Sequence, residues 1–221
     1  MIEDFKGDES WRLFRILAEF TEGIDALSGL GFAISIFGSA RIKPSSPYYM
    51  QTIELASKLS KEGFAIITGG GPGIMEAGNK GANDQQGTSV GLNIVLPQEQ
   101  NPNPYQNITL NYRYFFARKV MFVKHSMGYV CMPGGFGTLD EFFESLTLVQ
   151  TNKIYPMPIV LFGKSFWQGL LKWIEEQPLQ ERLISPEDMK LIHLTDDIDE
   201  VVEIMIKHRA YKKEKIAQTK A

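Results

Sequence analysis

A Rossmann-like, doubly wound α/β domain, with a mainly parallel sheet and helices on both faces, is the fold this 221-residue sequence predicts. Three observations predict it. Short apolar segments recur, at 32–37, 64–68, 129–132 and 158–162, as expected of strands buried on both faces. Longer stretches with helical spacing of apolar residues lie between them. Two strand-to-helix junctions are glycine-rich: Gly69-Gly70-Gly71-Pro72-Gly73 and Pro133-Gly134-Gly135-Phe136-Gly137-Thr138.

Taken in order, residues 8–28 place Trp11, Phe14, Leu17, Ala18, Ile24 and Leu27 at helical spacing. The spacing predicts a leading helix packed on the surface of the main domain, closed by a glycine linker at 28–31. A strand at 32–37 then runs into Gly38-Ser39-Ala40-Arg41. Pro47 suits the first turn of a helix over 47–62. The strand at 64–68 precedes the triple-glycine turn and a helix over 73–84. A third strand at 89–96 stops at Pro97, and a polar loop covers 98–106. A short strand at 108–112 and an amphipathic helix over 114–126 lead to the strand at 129–132. A helix after Gly137, a strand at 158–162, a helix at 165–177, a strand at 191–194 and a helix from 197 to about 211 complete the alternation. The reading divides the chain into an N-terminal helix and linker (1–31), a nucleotide-binding catalytic domain (32–211) and a basic tail (212–221). Lys212, Lys213, Lys215 and Lys220 mark that tail, read as a frayed, solvated end.

Composition narrows the function. A formal net charge of −3 gives no electrostatic footprint for nucleic acid. No apolar run reaches membrane-spanning length, and the N-terminus lacks the apolar core of a signal peptide, so the chain reads as cytoplasmic. The lone Cys131 sits in an apolar strand and reads as a buried structural thiol. His125, His193 and His208 show no metal spacing, and no metal or cofactor is expected. His125 closes a helix beside the site.

Right-handed crossovers bring every strand-to-helix turn to the carboxyl edge of a parallel sheet, where ligands bind. Gly38, Ser39 and the two glycine turns should therefore converge. Helix N-termini present unpaired N–H donors and a positive dipole end, and glycine admits a phosphate close to the backbone. Named nucleotide motifs fail, however. Starting at Gly69, the sixth position of a dinucleotide fingerprint is Ile74, and neither turn ends in the Gly-Lys-Ser/Thr of a P-loop. In the second turn, Thr138 and Glu141 have capping-box spacing, so Glu141 reads either as a cap or as a free carboxylate at the site. Asp140 shares its turn. Arg118 could neutralise that acid or hold phosphate bidentately. Glu76 stands one turn into the other glycine-led helix, where dipole complementarity explains it as well as ligand contact does.

The run from Pro133 to Glu141 resembles the PGGxGTxxE motif of the LONELY GUY (LOG) phosphoribohydrolases, a family also labelled possible lysine decarboxylase. Arg118-Lys119 is similar to that family's Arg-Lys pair, and Gly69-Gly70-Gly71-Pro72-Gly73-Ile74-Met75-Glu76-Ala77 resembles the GGGPGIMEA form of its longer bacterial members. Asp140 in place of the first glutamate of a Glu-Glu pair, a shorter triple-glycine turn and the leading helix depart from the plant-type pattern.

The resemblance implies hydrolysis of AMP or N6-modified cytokinin riboside 5′-monophosphates to free base and ribose 5-phosphate, without a cofactor, in a homodimer or larger homo-oligomer. It implies Glu141 and Arg118 as catalytic residues. Gly135, Gly137 and Thr138 would hold the phosphate. Gly38, Ser39, Gly70, Gly71, Gly73, Met75, Glu76, Glu99, Lys119, Pro133, Gly134, Phe136 and Asp140 would line or support the substrate. Two rival readings stand beside it: a nucleotide carrier or sensor that cleaves nothing, and an amino-acid decarboxylase, for which no Schiff-base lysine is identifiable.

Overall fold

The computed structural model describes residues 9–96 and 101–220. Seven strands form one parallel sheet: β1 (Ala33–Phe37), β2 (Ala65–Thr68), β3 (Ser89–Ile94), β4 (Ile108–Tyr112), β5 (Tyr129–Cys131), β6 (Ile159–Phe162) and β7 (Ile192–Thr195). Their order across the sheet is β4-β3-β2-β1-β5-β6-β7, every pairing parallel. The chain winds outward from β1 in one direction and resumes from β5 in the other. The order therefore reverses between β1 and β5, which opens a crevice beyond their carboxyl ends.

The helices are α1 (Glu9–Leu27), α2 (Pro47–Lys61), α3 (Ile74–Asn83), α4 (Phe115–His125), α5 (Phe136–Gln150), α6 (Lys164–Ile174), a short α7 (Pro186–Met189) and α8 (Ile198–Lys220). Alternation along β1 divides the core. Ala33 and Phe37 face a cluster with Met121, Phe122, Phe142 and Trp167 from α4, α5 and α6. Ile34 and Ile36 face Leu55, Leu59, Ile74, Val201 and Met205 from α2, α3 and α8. Both faces of the sheet are dry, as the continuous apolar strands require. The lone Cys131 is fully buried, and burial pushes its thiol pKa up, consistent with an inert core residue.

Three expectations change. The apolar positions assigned to the inner side of α1 mostly face outward: Trp11, Phe14 and Leu17 are exposed, and only Leu27 of that set is buried. The helix docks instead through Glu19, Phe20, Gly23 and Leu27. The reason lies in the partner surface. A side chain at Gly23 would strike the Tyr112 hydroxyl and Met121, so the glycine side is the one that approaches closely. The buried Glu19 carboxylate then accepts the backbone N–H groups of Arg113 (2.9 Å) and Tyr114 (3.3 Å), at the start of α4. The helix expected to end near residue 211 continues to Lys220, so the stretch read as a frayed basic tail is helical through residue 220. The helix expected over 165–177 becomes α6 followed by a π-helical turn, Glu175–Leu179, at Pro178.

Candidate active site

The crevice at the strand-order reversal holds a cavity of about 610 Å³, of a size that suits a small ligand. Its lining comprises residues 37–41, Gly69, Met75, Ile94, Phe115, Arg118 and residues 135–141. Hence Gly38, Ser39, Met75, Arg118, Gly135, Phe136, Gly137, Thr138, Asp140 and Glu141 come together there. The loop after β1 ties the two glycine turns to one another. The Ser39 N–H donates to the Pro133 carbonyl (3.1 Å), and the Ser39 carbonyl accepts from the Ile74 N–H (3.1 Å).

The remaining expected residues among those described stand behind the lining, each with a structural task. Gly70 has φ +74° and turns its carbonyl away to the Asn103 N–H (2.8 Å), the Asn103 Nδ2 (3.0 Å) and the Gln106 Nε2 (2.8 Å). The Gly71 carbonyl also accepts from Asn103 (3.0 Å). Gly73, at φ +68°, lies against the Ser39 and Ala40 backbone, where any side chain would collide. Pro133 supplies the carbonyl held by Ser39, and Gly134 leaves room for the Thr138 side chain. Glu76 accepts a hydrogen bond from the buried Tyr49 hydroxyl (2.6 Å), which engages its carboxylate outside the cavity. Glu99 lies outside the described residues.

The capping-box reading of the second turn is overturned. Helix α5 begins at Phe136 with Gly135 as its N-cap and no side-chain cap. Thr138 thus falls inside the first turn, too far along to cap it. Glu141 is left 8% exposed, and its Oε2 has no hydrogen-bond partner. A buried carboxylate resists ionisation, and burial raises the Glu141 pKa to about 7. The positive charges of Lys119 and Arg118 pull it down, while Glu144 and Asp140 push it up. Lys119 bridges Asp140 (2.8 Å) and Glu144 (3.0 Å); burial weakens its charged form, and these pairs more than restore it. A titratable acid near neutrality, facing a cavity, marks a candidate for acid–base or charge-stabilising chemistry.

Arg118 takes its place from three neighbours. Its Nε donates to the Leu92 carbonyl (2.8 Å), and its guanidinium lies 5.3 Å from the Phe122 ring centroid. A side chain at Gly69 would collide with the guanidinium, so that glycine exists to admit it. Burial lowers the Arg118 pKa, and the Glu141 carboxylate opposes this. In contrast, Gly135 and Gly137 have open space where a side chain would sit, on the exposed side of the turn.

Sequence reasoning missed Ile94, Phe115 and Arg41, which also line the cavity. Arg41 closes the Gly38-Ser39-Ala40-Arg41 turn, and a cation at a strand-to-helix turn was the signal available. It also missed the Asn103–Gln106 clamp, because a polar loop carries no periodicity. Asn79 completes that network, accepting from Thr68 (2.5 Å) and Asn103 (2.9 Å).

The family model described as "Possible lysine decarboxylase" matches residues 75–205. A cytokinin riboside 5′-monophosphate phosphoribohydrolase of Arabidopsis thaliana, LOG3, is 28% identical over 161 residues, covering 70% of this chain and 72% of its own. A second from that plant, LOG1, is 26% identical over 195 residues, 85% of this chain and 88% of its own. Among solved structures, the molybdenum cofactor carrier protein of Chlamydomonas reinhardtii matches with a TM-score of 0.59 at 20% identity, over 80% of this chain and 98% of that one. The molybdenum cofactor binding protein of Rippkaea orientalis matches at 0.57 and 20% identity, over 80% and 94%. These two likenesses show the fold alone.

Proposed function

The chain belongs to the possible lysine decarboxylase family, whose model matches more than half of it, and we propose that it hydrolyses the N-glycosidic bond of nucleoside 5′-monophosphates. AMP, N6-modified adenosine monophosphates, or both are the proposed substrates, and free base and ribose 5-phosphate the products. The observation that carries this reading is Glu141: buried, unpartnered at Oε2, lining the cavity, with its pKa raised to about 7. A carrier has no use for an acid that destabilises its own fold; a glycosidase does. The curated relatives named as phosphoribohydrolases support the same class of chemistry.

The division of labour follows from the lining. The exposed residues Gly135 and Gly137, the start of α5 and the Thr138 hydroxyl suit the 5′-phosphate. Arg118, fixed by Leu92 and Phe122, suits a second contact to phosphate or ribose. Met75, Ile94, Phe115 and Phe136 give the cavity an apolar side for a base. Cleavage builds positive charge on the ribose, and the ionised Glu141 stabilises it and accepts a proton from the attacking water. Water's oxygen bonds to the anomeric carbon as the glycosidic bond breaks; the departing base takes a proton from solvent, and Glu141 returns to solvent the proton it took from water. A homodimer or larger homo-oligomer is proposed with this activity, since Phe115, Phe116 and Val120 leave an apolar strip of α4 exposed beside the cavity.

The deciding experiment incubates the protein with a panel of nucleoside monophosphates and separates the products by chromatography. Free adenine with stoichiometric ribose 5-phosphate is the expected result. AMP bound in calorimetry without release of any base would make the protein a carrier and overturn the proposal.

A further inference from the structure

The loop after β1 carries a cation to which the chemistry above gives no task. Arg41 lines the cavity together with Gly38 and Ser39, and it is exposed. Its backbone is anchored. The Arg41 N–H donates to the Ser39 Oγ (3.0 Å), and Ser39 is tied through its own backbone to Pro133 and Ile74 (3.1 Å each). A side chain at Gly38 would strike Ile74, so the loop lies close against the start of α3. Strands β1 and β5 are neighbours in the sheet, which sets this loop beside the second glycine turn. The head of the side chain is free. Among the described residues, the Arg41 guanidinium has no ion pair, hydrogen-bond partner or ring contact.

The other cations at the site are matched before a ligand enters. Lys119 stands between Asp140 (2.8 Å) and Glu144 (3.0 Å), and the Glu141 carboxylate stabilises the charge on Arg118. A phosphomonoester carries about 1.5–2 negative charges at neutral pH. A helix start offers it only about half of one positive charge. A phosphate at the start of α5, beside Asp140 and Glu141, therefore needs a cation that no acid already holds. Arg41 is that cation, and its planar fork of N–H donors matches phosphate oxygens. A nucleoside has nothing for the fork to grip. We infer that Arg41 closes on the 5′-phosphate and makes the site select nucleoside 5′-monophosphates over nucleosides. The inference rests on the phosphate placement proposed above and adds the residue that makes the phosphate a requirement.

The test reads binding by calorimetry, apart from turnover, for the full chain and for Arg41→Gln and Arg41→Lys. Arg41→Gln should weaken AMP about five- to twentyfold, an effect moderated by the exposure of the site. Ribose 5-phosphate should weaken by a similar factor, and adenosine should stay within about twofold. Arg41→Lys keeps the charge and loses the fork, so its affinity for AMP should fall between the other two proteins. Thermal melts should agree within about 2 °C, because no contact inside the fold is lost. Unchanged AMP affinity in Arg41→Gln would overturn the inference, as would an equal loss for adenosine, which would place the residue against the base or the framework. An unaltered chain that binds neither AMP nor ribose 5-phosphate would overturn it together with the reading beneath it. Base release on the same samples separates the two: AMP held in an Arg41-dependent way without any free base would sink the hydrolytic reading and leave this inference standing.

Discussion

The two glycine turns look alike in sequence and do different work. The first, residues 69–73, is buried and braced from behind: Asn103 and Gln106 hold the Gly70 and Gly71 carbonyls, and Gly73 meets the loop after β1. Its glycines answer to backbone conformation and crowding. The second, residues 133–138, is open on the cavity side, where Gly135 and Gly137 face no neighbour. Gly134 makes room for the Thr138 side chain, whereas Gly135 and Gly137 are crowded by nothing, which leaves them free for the proposed phosphate. The acids that follow differ in the same sense. Glu76 is engaged by Tyr49, whereas Glu141 has an unpartnered buried oxygen. The lesson is that a glycine-rich turn becomes a working edge only where the surrounding structure leaves it uncovered.

The sharpest way to break that contrast is to neutralise both acids. Glu141→Gln should lower kcat for AMP about 10²–10⁴-fold with the fold intact, and Glu76→Gln should change it only about threefold. Equal losses in the two variants would mean that the turns share the chemistry.

The second test uses pH. Glu141 has its folded pKa raised to about 7 from 4.5, so folding favours its protonated form. That contribution to stability is complete below about pH 4.5 and is lost as pH rises through about 7. At pH 8 the ionised acid therefore destabilises the fold, and Glu141→Gln should be more stable than the parent by up to about 3 kcal/mol. Denaturant melts at pH 8 and pH 4.5 check this, the advantage vanishing at the lower pH. Activity runs the other way. With the ionised acid as the proposed working form, kcat/KM should climb about tenfold per pH unit up to about 7 and then level off. A falling profile over that range would assign Glu141 as a proton donor instead.

The smallest effects come from the glycines. Gly70→Ala forces a side chain into positive φ against Asn93 and should cost about 2–3 kcal/mol of stability. Gly135→Ala should leave stability within about 0.5 kcal/mol while raising KM about three- to tenfold by crowding the phosphate. Thermal melts and steady-state kinetics on the pair separate framework from working edge. Reversed outcomes would reverse their assignment.

Much of this was readable before folding was considered. The apolar runs at β1, β2, β5 and β6 specify a sheet dry on both faces, and glycine at the ends of β2 and β5 marks its ligand-binding edge. The spacing of Thr138 and Glu141 was misleading, because a helix start cannot be located from residue types when the cap is a glycine. The Asn103 clamp was invisible, since a loop residue reaching back more than thirty positions leaves no local pattern.

By itself, then, the order of residues determined the alternation of strand and helix, the parallel sheet and the crevice at which its turns gather. Those follow from local periodicity and the handedness of crossovers. Tertiary structure alone decided which glycines face the cavity, which acid is left without a partner, and which side of α1 meets the domain. Burial is a property of what stands opposite a residue, and what stands opposite comes from distant parts of the chain.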